Sequence, residues 1–421
     1  MNFPQKFSKL VSGAALRRVT FALFLVILGA STTLAETKAY VTNVSDNTVS
    51  VIDTTTNTVV ATVPVGLTPV GIAVTPNNAF AYVANQGDNT VSVLNTGTNT
   101  VTATVPMGQS PNSVAITPNG SFAYVTNVGA NTVSVISTAT NTVVATVPVG
   151  VAPNRIAITP DGAFAYVTHF LGFVAGTVSV IDTTSNTVVA TIPVGIAPTF
   201  IAITPNGAFA YVPGIGGVSV IDTATNTEVS VPLAGIFAEI DFAPNGAFAY
   251  LVNGIDGTVA VIGTATNTVA ATVTVGLAPT GVAVTPNGAF AYVTNSGNNN
   301  VSVIDTATNT VTATIPVGNQ PAFIAFADTQ SPQDQIAALI DEVKALITGG
   351  TLTQNRGSVL IDKLNQVVVK LDDTQTGTAC NHLSAFINQV QAFINNGSLS
   401  QAQGQQLIDG ANALKTSLGC S

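Results

Sequence analysis

Side chains able to do acid–base, nucleophilic or metal chemistry are scarce in this sequence of 421 residues. It holds two histidines (His169 and His382), two cysteines (Cys380 and Cys420), 20 acids and 11 cations, and no tryptophan. The histidines stand far apart, and no Cys/His group has zinc-ligand spacing. No GxSxG, P-loop or paired-histidine motif occurs. Most acids recur at equivalent points of a repeat. Asp53, Asp182, Asp222 and Asp305 each close a Val-Ile-Asp run, the place for an Asx turn. Asp46 and Asp88 stand in short loops, where weak calcium binding competes with a plain solvated turn, and the turn is the better reading. The residues point to no catalytic set, no metal centre and no cofactor.

Charged residues make up 7% of the chain, against about 25% in ordinary soluble domains. Between residues 36 and 330 there are two cations, Lys38 and Arg155, against 13 acids. Nucleic-acid binding needs Lys and Arg to neutralise phosphates, so that class is excluded, and an anionic membrane surface is disfavoured for the same reason. Residues 1–35 read as a signal peptide: Lys6, Lys9, Arg17 and Arg18 precede the apolar run FALFLVILGA at 21–30, and a small-residue segment ends at Ala35. Ten apolar residues are too few to span a bilayer. Arg17-Arg18 lacks the rest of a twin-arginine signal. The expectation is an exported protein that does not span the membrane after leader removal, secreted or held at the cell surface or in the periplasm.

The middle of the chain is an internal repeat. Tyr40, Tyr82, Tyr124, Tyr166, Tyr211, Tyr250 and Tyr292 follow one another at spacings of 42, 42, 42, 45, 39 and 42. Each unit contains four short alternating runs, exemplified by GIAVT (A), FAYVAN (B), TVSVLN (C) and TVTATVPM (D). Pro-Asn-Gly or Pro-Asn-Asn lies between A and B, and Thr-Asn-Thr between C and D. Four-stranded units of this length are propeller blades. The first unit has no A run, and an orphan A run, FIAFA at 323–327, follows the last. It should complete the blade begun by residues 38–66 and close the ring, removing two free sheet edges. Prolines near the end of most D runs place D at the outer edge and A around the central channel. The fold class is therefore mainly β: a seven-bladed β-propeller (36–330) closed by a C-terminal strand, followed by a small four-helix bundle (331–421).

The repeat resembles the YVTN family of β-propeller proteins, found in archaeal surface-layer proteins and many exported bacterial ones. YVTN stands at 40–43, 124–127 and 292–295, with YVAN at 82–85 and YVTH at 166–169. VIDT and TNTV recur in register with it. The resemblance implies the propeller and says little about activity, because propellers carry enzymes and inert scaffolds alike.

After residue 330 the pattern changes to the helical three-four period. Ile336, Leu339, Ile340, Val343, Leu346 and Ile347 form one stripe, and three more follow. LTQNRGSVLID at 352–362 matches LSQAQGQQLID at 399–409, so the tail is a duplicated helical hairpin. Ser331-Pro332 suits a helix start. Cys380 opens the third helix and Cys420 follows the fourth. Those ends meet in an antiparallel pair, so one disulfide is expected. The tail looks like a FIMAH-type helical domain, which implies an accessory role.

The informative positions are those where the repeat varies. The first residue of strand A reads Gly71, Ser113, Arg155, Phe200, Glu239, Gly281 and Phe323 around the ring, and should face the channel. Asp241 stands two residues beyond Glu239, on the same side of the strand. Strand parity puts the B–C and D–A loops on one face of the ring. There the fourth unit has the long apolar loop HFLGFVAG at 169–176, the fifth unit has a shortened loop, and the sixth has an irregular entry at 234–238. The candidate binding site is thus Arg155, Phe200, Glu239, Asp241 and Phe323 in the channel, with His169, Phe170, Leu171 and Phe173 as an apolar lip. The bland alternative is drift, with Arg155 and Glu239 simply pairing.

The reading from sequence is an exported, non-enzymatic, monomeric scaffold that recognises an extracellular protein or glycan. The alternative is a metal-dependent, lactonase-like propeller hydrolase. That needs several convergent carboxylates or amides, and only Glu239 and Asp241 qualify, with Asn112 and Asn154 as distant helpers.

Overall fold

The computed structural model describes residues 36–231, 237–329, 332–372, 375–418 and 420. The expected leader at 1–35, the strand-D proline Pro232, the entry at 232–236 and Ser331 lie outside the described residues. Seven four-stranded antiparallel sheets follow one another along the chain. The first consists of Pro321–Thr329, Glu36–Asn43, Thr48–Asp53 and Thr58–Pro64, in that order. Tyr40 stands opposite Ala325 in this sheet, so the orphan run closes the ring as the repeat requires. The other blades run through residues 69–106, 111–148, 153–196, 202–231, 237–274 and 279–316, and are numbered 2 to 7 in that order.

Strands B and C are buried along almost their whole length, because both faces of a blade pack on neighbours. Strand D alternates exposed and half-buried residues and ends at a proline in most blades, as an outer edge strand can. The core lies in layers between blades. Tyr82, Val91 and Val93 of blade 2 pack against Val114, Ala123 and Val125 of blade 3, for example.

The repeat Tyr and the Asn of the C–D turn lock these layers. The hydroxyl of Tyr82 donates to Asn141 Oδ1 of the next blade at 2.6 Å, and Tyr124 reaches Asn186 at 2.7 Å. Tyr292 reaches Asn57 at 2.7 Å, across the closure. Each of these Asn residues has a positive φ (Asn141 54°, Asn186 53°, Asn57 53°). Asn tolerates that conformation better than most residues, so one side chain both shapes a turn and joins two blades. Asp53, Asp182, Asp222 and Asp305 accept the backbone N–H groups of the same turns, as in Asp182 Oδ1 with Ser185 N–H at 2.8 Å.

After the ring come helices α1 (Pro332–Thr348), α2 (Gln354–Asp372), α3 (Thr376–Asn395) and α4 (Gln401–Ser417). Their apolar stripes form one core around Ile336, Leu360, Phe386 and Leu407. The duplication extends to packing. Gly357 lies under Ile347, and Gly404 lies under Ile394 47 residues later; a Cβ at either would fall 2.2–2.3 Å from the isoleucine. Cys380 and Cys420 are bonded, with Cα atoms 5.7 Å apart. No helix among the described residues is long and apolar enough to cross a membrane.

Candidate functional site

Strand A turns alternate residues toward the channel, because successive side chains point to opposite sides of a strand. A cavity of about 310 Å³ results, lined by Ser113, Arg155, Phe200, Glu239, Asp241 and Phe323 among others. The five channel residues singled out by the sequence therefore do converge. The position is less free than repeat variation implies. At Gly71 a Cβ would stand 2.5 Å from the Asn112 carbonyl, and at Gly281 2.4 Å from that of Ala322. Glycine there permits adjacent inner strands to approach closely.

Phe200 of blade 5 and Phe323 of blade 1 enter from opposite sides of the ring. Their centroids are 6.3 Å apart and their planes 13° from parallel. The Arg155 guanidinium carbon lies 4.2 Å from the Phe323 centroid and 5.8 Å from that of Phe200, within cation–π range of both. Its Nη1 donates to Asn154 Oδ1 at 3.4 Å, while its Nε is buried without a partner. Glu239 is 5% exposed, and its Oε2 is likewise buried and unpartnered. No ion pair joins Arg155 and Glu239 among the described residues, so the simple pairing does not occur.

Burial lowers the Arg155 pKa, and Glu239 opposes that effect. Burial raises the Glu239 carboxyl well above the ordinary carboxylate range; Arg155 pulls it down and Asp241 pushes it up. Asp241 accepts the Val284 N–H of the next blade at 2.8 Å, yet burial still raises its pKa to about 6. An acid whose folded pKa exceeds its unfolded value near 3.9 adds stability below that value and loses it as pH rises through the folded pKa. The melting temperature of the native chain, relative to Asp241→Asn, is therefore expected to fall between pH 4 and pH 7. Thermal denaturation of both at several pH values checks this; a constant difference refutes the assignment.

The rest of the predicted site is placed differently. His169 is 1% exposed and lies within the blade, away from the cavity. Its Nδ1–H donates to the Val151 carbonyl (3.1 Å), and Ser179 donates to Nε2 (2.8 Å). It replaces the repeat Asn: Asn43, Asn85 and Asn127 donate to the matching serines, each at 2.9 Å. Burial also lowers its pKa, favouring the neutral ring. Its membership of the lip is thus corrected. His169→Asn is expected to change stability by less than about 1 kcal/mol, whereas His169→Ala, which strands buried partners, costs about 1–3 kcal/mol. Thermal melts decide; loss of ligand binding in a stable His169→Asn would restore a functional role.

Phe170, Leu171 and Phe173 do not line the cavity. They stand exposed on the loop face, Phe173 at 83%. That face unites the B–C and D–A loops as strand parity requires, shown by the Gln86 N–H bonded to Thr68 O. Asp46 and Asp88 accept loop N–H groups there, from Asn319 and Leu67, in their expected turn role.

Asn112 and Asn154 are not helpers for a metal. Asn112 Nδ2 donates to Asn154 Oδ1 (2.6 Å), and Asn154 Nδ2 to the Thr199 carbonyl (3.0 Å). Thr199 Oγ1 donates in turn to Phe237 O (2.7 Å). This girdle stitches blades 3 to 6 together. Its signal was available in sequence, since Asn112, Asn154 and Thr199 directly precede the varying channel position. The channel donor set does not fit a divalent cation. It offers two carboxylates beside a guanidinium, and the described residues contain no cluster of three or more His, Cys, Asp or Glu able to hold a metal.

Residues 30–146 match the family described as lactonase, 7-bladed beta-propeller. No curated protein matches the chain. Among solved structures, hydrazine synthase of Kuenenia stuttgartiensis aligns at 25% identity over 64% of this chain and 92% of its own, with a TM-score of 0.60. A functionally unknown protein from Desulfotomaculum acetoxidans aligns at 17% identity over 70% and 99%, with a TM-score of 0.62. A putative 6-phosphogluconolactonase from Bacteroides uniformis aligns at 18% identity over 70% and 100%, with a TM-score of 0.58. The last two likenesses concern the fold alone. The chain is a seven-bladed β-propeller whose first blades resemble the lactonase family.

Proposed function

We propose that the channel is the active site of an exported, lactonase-like hydrolase that works without a metal ion. The observation that carries this is Glu239, whose Oε2 is buried without a partner and which lines the same cavity as Arg155 and Asp241. The partial match to the lactonase family supports the reaction class. The YVTN-type repeat and FIMAH-type tail belong to the same proposal as its scaffold and accessory module.

Two carboxyls whose surroundings separate their pKa values divide acid and base roles. Asp241, ionised above about pH 6, takes a proton from water as the water oxygen attacks the lactone carbonyl. Arg155 stabilises the resulting oxyanion. Protonated Glu239 gives its proton to the ring oxygen as the acyl carbon–oxygen bond breaks, and the product is a hydroxy acid. Transfer of the Asp241 proton back to Glu239 restores the site. The test is hydrolysis of a lactone panel with and without chelator. Turnover unaffected by chelator supports the proposal; chelator-sensitive turnover or none refutes it.

The loop face favours a second reading, recognition of an extracellular protein or glycan, because Phe170, Leu171, Phe173 and Val174 are exposed in one loop. Binding to envelope material that Phe173→Ser abolishes, in a chain inert toward lactones, would select it.

A further inference from the structure

We infer that the substrate is a neutral lactone with a flat, conjugated face, such as an aryl lactone, rather than a sugar lactone or its phosphate. The inference rests on the hydrolase reading and names the substrate class of that site. Phe200 and Phe323 come from opposite sides of the ring and hold nearly parallel planes. A flat guest parallel to both joins this stack, and such contacts add to burial alone. The Arg155 guanidinium packs against the same two rings, so a guest on a ring face that it leaves open brings an edge carbonyl within its reach.

Besides Arg155 and the two acids, Ser113 is the only polar side chain lining the cavity among the described residues; Ile72, Val114, Ile156, Ile240 and Val282 turn away into the cores between blades. A polyhydroxylated ring needs a partner for most of its hydroxyls. The amides that would serve, Asn112 and Asn154, are already bonded within the girdle. A phosphate is opposed more strongly. Among the described residues Arg155 is the only cation lining the cavity, and Glu239 and Asp241 line it too.

The experiment uses the full chain with dihydrocoumarin, glucono-δ-lactone and 6-phosphoglucono-δ-lactone as substrates. Calorimetric binding of 3,4-dihydro-2-quinolinone, the non-hydrolysed amide analogue of dihydrocoumarin, runs in parallel. Dihydrocoumarin is expected to have the highest kcat/KM. Phe200→Leu, which keeps apolar bulk and removes the ring face, is expected to raise its KM by about 3–10-fold with kcat nearly unchanged, the size of one aromatic contact. The same variant should weaken binding of the amide by the same factor. A sugar lactone turned over as well as dihydrocoumarin, or an unchanged KM in Phe200→Leu, overturns the inference. If no lactone is hydrolysed but the amide binds and Phe200→Leu weakens it, the flat-ligand site stands and the hydrolase reading falls. If the amide does not bind, the flat-ligand inference falls.

Discussion

Arg155→Gln is expected to lower kcat for lactone hydrolysis by about 10²–10³-fold, the cost of losing an oxyanion donor from a preorganised site. KM for a neutral substrate should change little, because the oxyanion exists only on the way to the transition state. Among the described residues Arg155 is the sole cation lining the cavity, so no neighbour there replaces it. Its removal also takes away the charge that draws the Glu239 pKa down, so the alkaline limb of the pH–rate profile should move upward. This shift separates a charge effect from simple misfolding. Arg155→Lys keeps the charge, loses the planar fork over the phenyl rings, and should recover part of the rate. Steady-state kinetics across pH provide the measurement, with a thermal melt as a control on folding. An unchanged kcat in Arg155→Gln would exclude the proposed role.

Reduction of the Cys380–Cys420 bond, or Cys420→Ser, is expected to destabilise the helical tail and spare the ring. The bridge spans 40 residues. Closing a loop of that size restricts the unfolded chain by roughly 3–4 kcal/mol in the chain-entropy model. For a tail of this size, that corresponds to a drop of roughly 12–30 °C in its melting temperature. Hydrogen exchange on the intact chain resolves the location. Amides of α2, α3 and α4 should lose protection on reduction, while the strands around Tyr82 and Tyr124 keep theirs. Equal protection in both redox states would refute the expectation. Lactone hydrolysis should be unaffected, since none of the described residues lining the channel comes from the helices.

Repetition made much of the molecule legible. Seven tyrosines at nearly constant spacing specify seven identical folding problems, and the orphan run at 323–327 has one place to go. Period-2 alternation then fixes which side of strand A meets the channel, so Arg155, Phe200, Glu239, Asp241 and Phe323 could be picked out individually. His169 was misplaced for the opposite reason. Next to an apolar loop it looks like a surface residue, but it occupies the repeat Asn position, and its ring nitrogens accept that role because they reach Val151 and Ser179. Asn112 and Asn154 look like free amides until the neighbouring blade supplies their partners.

Sequence alone determined the number of blades, the closure of the ring, the duplicated tail and the direction of each channel side chain, because these follow from periodicity along one chain. Only the tertiary structure decided that Phe200 and Phe323, 123 positions apart, stack on each other and that Arg155 lies over both. It also decided that Glu239 keeps an unpartnered oxygen instead of pairing with Arg155. Those relations depend on ring curvature and on the rotamers of side chains from different blades, which no local pattern encodes.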